Sequence, residues 1–283
     1  MTDIRTRNGG QLLMDSLVAL GATRGFGVPG ESYLAVLDAM VDHANAFDLV
    51  LCRQEGGAAY MAAAWGKLTG EPGLCFVTRG PGATNATVGI HTAMQDSVPM
   101  ILFVGQVGTD VMGREAFQEV DYTAFFGPLA KWAVQIDHVD RVPEIISRAW
   151  TVAMSGRPGP VVVALPEDML VGTSDRLPCD PVTIPEPAVP EAGAAQMAAM
   201  LAAAERPVML VGGTRWTAGS ARALESFAAA NDVPVVAAFR FHDIIDNHCS
   251  SFVGDAGVAM NAYMKDLLRE TDLIVAINIR FGE

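Results

Sequence analysis

Residues 73–90 read GLCFVTRGPGATNATVGI, and the fold follows from how that stretch changes character. Leu74 to Val77 is a continuous apolar run with no alternation, as in a strand covered on both faces. It stops at Thr78, passes through the glycine-proline loop Arg79 to Gly82, and continues from Ala83 to Gln95 at helical spacing. Strand, tight loop and helix in that order make half of a βαβ unit. The same order recurs on both sides. Upstream, residues 11–20 read as a helix ended by Gly21, and 25–28 as a strand running into Pro29-Gly30. Residues 33–43 are helical, 48–52 a strand, and 56–68 an alanine-rich helix closed by Gly70. Downstream, 99–105, 132–135 and 161–165 read as strands, the last two around a helix at 143–154. This alternation predicts an α/β fold with a doubly wound parallel sheet.

The composition changes after residue 172. Five prolines between Leu177 and Pro190, with no helical or strand period, read as an extended linker. The expected organisation is a first domain over 1–172, a Pro-rich linker over 173–190 and a second α/β unit, Rossmann-like, over 191–283. In that unit, helices are predicted at 192–204, 218–231 and 258–270, and strands at 208–212, 233–237 and 273–279. A parallel unit ending just after a strand lacks its next helix, so the second domain reads as incomplete and the chain as a fragment.

Bulk properties narrow the class. Apolar residues make up 51% of the 283, charged residues 18%, and the mean hydropathy is +0.28. No apolar run approaches the roughly 18 residues of a membrane span, and the buried strands of a parallel sheet account for the hydrophobicity. Net charge is −13 with no basic patch, which argues against nucleic acid as a partner. Cys52, Cys75, Cys179 and Cys249 form no C-x-x-C pair, so neither a zinc site nor an oxidising compartment is indicated. The amino terminus has no signal-type apolar segment, which makes the cytoplasm the expected location.

Three segments fall at carboxyl ends of predicted strands, the edge where open α/β sheets bind ligands. Val28-Pro29-Gly30 alone is a turn before a helix. Arg53-Gln54-Glu55-Gly56-Gly57 opens a helix with a carboxylate, which the helix dipole alone explains, and with two glycines, which cost helix stability unless something approaches the backbone. Thr78 to Asn85 feeds a rigid loop into a helix amino terminus, where backbone N–H groups are free. It matches neither a P-loop nor G-x-G-x-x-G. His242, Asp243, Asp246 and His248 match no metal-ligand spacing, and no G-x-S-x-G is present. No metal ligand is assigned.

Taken together, these segments are far more specific than any one of them. From Gly25 to about Leu170 the chain resembles the pyrimidine-binding domain of the thiamine-diphosphate-dependent acetolactate synthase family. The resemblance is carried by residues 27–30, 53–57 and 78–85. Asp96-Ser97-Val98-Pro99, Gly105-Gln106-Val107, Ala116-Phe117-Gln118-Glu119 and the run 151–166 around Ser155-Gly156-Arg157-Pro158-Gly159-Pro160 add to it. It implies a decarboxylase or carboligase acting on a 2-keto acid, built as a homodimer or homotetramer with active sites between subunits. It implies that Glu55 hydrogen-bonds N1′ of the cofactor's aminopyrimidine and promotes loss of the thiazolium C2 proton. The cofactor then serves as electron sink while carbon dioxide leaves. That role needs a carboxyl able to share its proton near neutral pH, for which Leu49, Val50, Leu51, Ala58 and Ala59 are the expected apolar surroundings. By the same resemblance, Val28, Pro29, Gly30, Thr78, Pro81, Gly82 and Asn85 contact the cofactor, and Phe117 and Gln118 reach the substrate side.

The departures are as informative. Glu31-Ser32 stands where synthases carry glycine and then alanine or serine, which recharges the substrate entrance. A plain 2-keto acid decarboxylase and a non-catalytic binding or assembly module are the alternatives. The glycine-methionine-histidine-glycine segment associated with FAD has its nearest match in Gly254-Asp255-Ala256-Gly257, without the Met-His pair. No Gly-Asp-Gly segment with a downstream asparagine occurs. The family's diphosphate and Mg²⁺ ligands are therefore expected in a carboxy-terminal domain outside this chain, and the chain alone is expected to be inactive.

Overall fold

A computed structural model describes residues 5–281; the last residues of the predicted second domain, Gly282 and Glu283, lie outside them. The chain divides into two compact units between Glu186 and Pro187.

The first unit opens with a two-residue strand, β1 (Arg7–Asn8), and helix α1 (Gly9–Ala19). It continues through β2 (Arg24–Gly27), α2 (Leu34–Asp42), β3 (Asp48–Leu51), α3 (Glu55–Thr69), β4 (Gly73–Val77), α4 (Pro81–Asp96) and β5 (Met100–Gln106). Short α5 (Tyr122–Phe126), β6 (Trp132–Gln135), α6 (Val142–Met154), β7 (Pro160–Pro166), α7 (Glu167–Val171) and β8 (Thr173–Ser174) complete it. Six strands form one parallel sheet in the order β3-β2-β4-β5-β7-β6. The doubly wound reading is thus met, and β3 lies at an edge.

The strand period of two sorts the apolar runs onto two faces. Leu74, Phe76, Ile101, Phe103, Val161, Val163 and Leu165 pack with α1, α2 and α6. Cys75, Val77, Met100, Leu102, Val104, Val162 and Ala164 pack with α3, α4 and α5. Such two-sided burial is why these strands show no polar alternation in sequence. On the second face the fit is close. A Cβ on Gly89 of α4 would strike Ala59 of α3, one on Gly73 would strike the Ala62 carbonyl, and one on Gly66 would strike the Pro99 carbonyl. The small residues of α3 and α4 therefore set the helix-to-sheet distance.

The second unit comprises α8 (Glu191–Ala203), β9 (Pro207–Val211), α9 (Ala218–Ala230), β10 (Val235–Ala238), β11 (Phe252–Ala256), α10 (Ala262–Glu270) and β12 (Leu273–Ile277). Its four strands form a parallel sheet in the order β11-β10-β9-β12.

Several elements differ from the sequence expectation. Strand β11 was not expected, because Gly254 and Asp255 interrupt its apolar pattern. Helix α10 starts four residues later than predicted, since the Asn261 side chain accepts the Met264 N–H at 2.8 Å and caps it there. Helix α1 begins at Gly9 because Asn8 and Gln11 form a reciprocal capping box. Within the proline-rich stretch, Thr173–Ser174 pairs antiparallel with Arg7–Asn8, and Cys179, Val182 and Ile184 pack against the first core. No helix among the described residues is long and apolar enough to cross a membrane.

Candidate functional site at the carboxyl edge of the first sheet

Four loops leave the carboxyl ends of β2, β3, β4 and β5, and side-chain contacts join them. The turn after β2 is held from below. Val28 N–H donates to the Phe76 carbonyl, and the Tyr33 hydroxyl donates to the Val28 carbonyl at 2.6 Å. Tyr33 is 2% exposed; burial, then the nearby Cys75 thiol and Glu55 carboxylate, push its phenol up. Pro29 projects outward, while Gly30 lies against Thr78 so closely that a Cβ there would collide with it. Ser32 and Thr78 hydroxyls share a hydrogen bond of 2.9 Å. The turn and the β4 loop are thus one packed piece.

Glu55 is the first residue of α3. Ahead of it, Gln54 caps the helix by accepting the Gly57 N–H at 2.7 Å, leaving Glu55 to point across the sheet edge. Its Oε2 accepts a hydrogen bond from Asn85 Nδ2 at 3.1 Å, so the helices after β3 and β4 meet through this pair. Oε1 has no hydrogen-bond donor among the described residues and lies beside Gly82, where an added Cβ would come within 3.7 Å. The carboxylate is half-buried. Of the expected apolar surroundings, Ala58 and Ala59 are fully buried and Val50 partly so in the core under α3 and α4, whereas Leu49 packs on the opposite face of the sheet. Leu51 departs from expectation: it closes the edge strand β3 and is 67% exposed, so it gives the carboxylate no apolar cover.

The loop after β4 needs its glycines. Gly80 has φ +43°, a conformation costly for any side chain, and Gln118 fills the space its Cβ would take. The Gly80 N–H donates to the Tyr122 hydroxyl at 2.7 Å. Burial raises that phenol to about 12, against the opposing pull of the Gly80 N–H and Arg79. Gln118 itself sits at φ +64°. Its loop is folded by Glu119, whose carboxylate accepts the Gly113 and Ala116 N–H groups at 2.6 and 3.0 Å and is thereby held below the ordinary carboxylate range.

Of the residues singled out in sequence, Val28, Pro29, Gly30, Glu55, Thr78, Pro81, Gly82, Asn85 and Gln118 thus lie along one connected edge. Phe117 lies there too, 71% exposed, with its ring 5.7 Å from the Arg79 guanidinium carbon. Sequence reading missed Arg79, Tyr33, Tyr122 and Glu167. Arg79 Nη2 donates to Glu31 at 2.8 Å and Nη1 to Glu167, the latter at the start of α7. The signal for Arg79 was its place within the quoted loop. The two tyrosines gave none, because a buried hydroxyl on a loop carbonyl or N–H has no spacing rule. His242, Asp243, Asp246 and His248 form no metal cluster; no group of three or more His, Cys, Asp or Glu able to hold a metal occurs among the described residues.

Comparison with known proteins agrees with this geometry. Residues 7–125 match the thiamine pyrophosphate enzyme N-terminal TPP-binding domain, and residues 194–283 match the central domain of the same enzymes. The large subunit of acetolactate synthase isozyme 2 of Escherichia coli (strain K12) is 34% identical over 276 residues, covering 98% of this chain and 50% of that protein. The acetolactate synthase large subunit of Parasynechococcus marenigrum (strain WH8102) is also 34% identical, with 99% and 46% covered. The mitochondrial acetolactate synthase catalytic subunit of Aspergillus candidus is 32% identical, with 98% and 42% covered. The chain spans about half the length of these relatives. With both domain types matched in order and the edge motifs gathered at one site, the chain belongs to the thiamine pyrophosphate enzymes, as an acetolactate synthase-like member.

Proposed function

We propose that this chain supplies the pyrimidine-binding half of a thiamine-diphosphate-dependent decarboxylase or carboligase acting on 2-keto acids. The observation that carries the reading is the Glu55 carboxylate. It is anchored through Oε2 by Asn85, while Oε1 lies beside Gly82 with no donor of the chain's own among the described residues. A heteroaromatic nitrogen suits such an unpaired oxygen, since it offers a flat edge and one hydrogen-bonding atom. When bound, thiamine diphosphate supplies the electron sink for decarboxylation. The chain's own residues bind and orient. Glu55 would offer Oε1 to the ring nitrogen as its hydrogen-bond partner, Asn85 fixes the rotamer of that carboxyl, and Gly30, Thr78, Pro81 and Gly82 would form the wall. Val28 and Pro29 meet the ring edge. Gln118, packed on Gly80, and Phe117 face the substrate.

Mg²⁺ would be held by residues outside those described, together with the diphosphate. For a flavin, doubtful already in sequence, neither glycine segment of the second unit gives support. Gly254 lies within β11 against Met264, and the place of a Cβ on Gly213 is taken by Asn278, so no open phosphate cradle is present at either and no step is assigned to FAD. Assembly as a homodimer or homotetramer and a cytoplasmic location belong to the same reading.

The test is Glu55→Gln in the full-length enzyme. Turnover of pyruvate should fall by at least about a hundredfold, the scale of a lost general acid–base group, with the far-UV spectrum and thermal midpoint retained. Turnover within a few-fold of wild type would refute the role.

A further inference from the structure

The cluster around Arg79 joins four chain segments at the carboxyl edge. Glu31 follows the turn after β2, Arg79 sits in the loop after β4, Phe117 belongs to the segment after β5, and Glu167 begins the helix after β7. Arg79 is 8% exposed, both terminal nitrogens are committed to carboxylates, and Phe117 lies over its face. The remaining nitrogen, Nε, has no hydrogen-bond partner among the described residues but is buried, so the guanidinium presents no solvent-facing donor edge to a substrate carboxylate. The carboxylates, by contrast, stay in contact with solvent: the side chains of Glu31 and Glu167 are 70% and 44% exposed. Two carboxylates against one guanidinium leave the cluster one negative charge in excess. The neighbouring stretch 107–121 adds Asp110, Glu115, Glu119 and Asp121 against a single Arg114. Arg53 is the other cation at this edge, but it follows the edge strand β3, whereas the cluster spans β2 to β7. The rim beside Gln118 is therefore acidic.

We propose that Glu31, Arg79 and Glu167 form a charge filter at the mouth of the cofactor cleft that discriminates against 2-keto acids bearing a second anionic group. The proposal rests on the reading of this edge as the keto-acid site. Its physical basis is Coulombic. A keto acid whose far end is a methyl group meets the rim with no charge there, while one ending in a carboxylate meets net negative charge across a short distance of partly excluded water. The Phe117 ring, 5.7 Å from the guanidinium carbon, adds an apolar contact there for an uncharged chain end.

The matched probes are 2-oxopentanoate and 2-oxoglutarate, which have the same chain length and differ in a terminal methyl against a terminal carboxylate. In the full-length enzyme with thiamine diphosphate and Mg²⁺, kcat/KM should favour 2-oxopentanoate by at least about tenfold. Glu31→Gln and Glu167→Gln should each narrow that ratio by roughly three- to tenfold, the range for one unit charge removed from a site between water and protein in screening. Wild type gives an independent readout. Raising ionic strength from about 0.01 to 1 M shortens the screening length from about 30 to 3 Å and should narrow the ratio, which neither a size filter nor a purely structural cluster predicts. Preference for 2-oxoglutarate, or a ratio indifferent to salt and to both substitutions, overturns the filter. Consumption of neither probe while pyruvate still releases carbon dioxide overturns the filter alone, whereas no carbon dioxide release from pyruvate either overturns the underlying reading.

Discussion

At the residue scale, the site depends on hydroxyls that hold loops as well as on the acid. Tyr122 accepts the buried Gly80 N–H, and Tyr122→Phe would leave that N–H without an acceptor at a cost of about 1–3 kcal/mol. We expect a urea midpoint shifted down with an unchanged slope, and weaker thiamine diphosphate binding in the full-length enzyme, because Gly80 leads directly into the wall formed by Pro81 and Gly82. An unchanged midpoint would show that water replaces the phenol. Glu55 was singled out in sequence only through the family resemblance carried jointly by residues 27–30, 53–57 and 78–85, since a carboxylate opening a helix is by itself explained by the dipole. The Asn85 contact and the exposed Leu51 were not legible. The first depends on how α3 and α4 cross, the second on β3 being an edge strand, and neither is encoded in local periodicity.

At the scale of the element, α3 illustrates what sequence reading captures. Alanine content, the Gln54 entry and the αL Gly70 exit all speak for a helix of this length. Its partner surface was invisible, because close approach through Gly66, Gly73 and Gly89 shows only when the other backbone is in place. Gly66→Ala drives a methyl group into the Pro99 carbonyl. We expect a loss of stability of about 1–3 kcal/mol, the usual cost of overpacking, read as a lower thermal midpoint. A neutral outcome would mean that α3 can lift from the sheet. The missed β11 and the late start of α10 share one cause: glycine and asparagine punctuate the pattern, and their effect depends on which backbone group they satisfy.

At the scale of the whole molecule, charge and surface pattern give two expectations. Asp15 is 10% exposed at its side chain and receives Arg7 at 2.5 Å and His43 at 2.7 Å. Burial pushes its carboxyl up, but hydrogen bonds from Arg7 and His43 and the charges of Arg7 and Arg5 outweigh burial and hold it below the ordinary range. A carboxyl depressed by folding stabilises the native state above its unfolded value, near 3.9, and that contribution is lost as pH falls through the folded value. Asp15→Asn should therefore destabilise by about 2 kcal/mol at pH 7 and by less at acid pH below the unfolded value, as urea melts at both pH values would report. Equal effects at both would assign Asp15 a packing role only. The second expectation concerns assembly. Tyr60, Met61 and Leu68 on α3 and Val88 on α4 are between 40% and 80% exposed, more apolar surface than two solvent-facing helices normally carry. If the full-length protein assembles through this face, as its proposed homodimer or homotetramer would allow, Met61→Arg with Val88→Arg should shift sedimentation toward the monomer; an unchanged profile would exclude this face as the contact. The division into two α/β units was readable from the proline content near residue 180, whereas the packing of Cys179, Val182 and Ile184 on the first core was not.

The glycine-to-backbone seating of α3 gives the helix no play along its length. Gly66 and Glu55 are eleven residues apart, about 16 Å along a helix, so the tail of the rod is keyed into the sheet while its head carries the acid. Any substitution that jacks up the tail must displace the head, and a lesion with no contact to coenzyme or substrate would register as a misaimed proton.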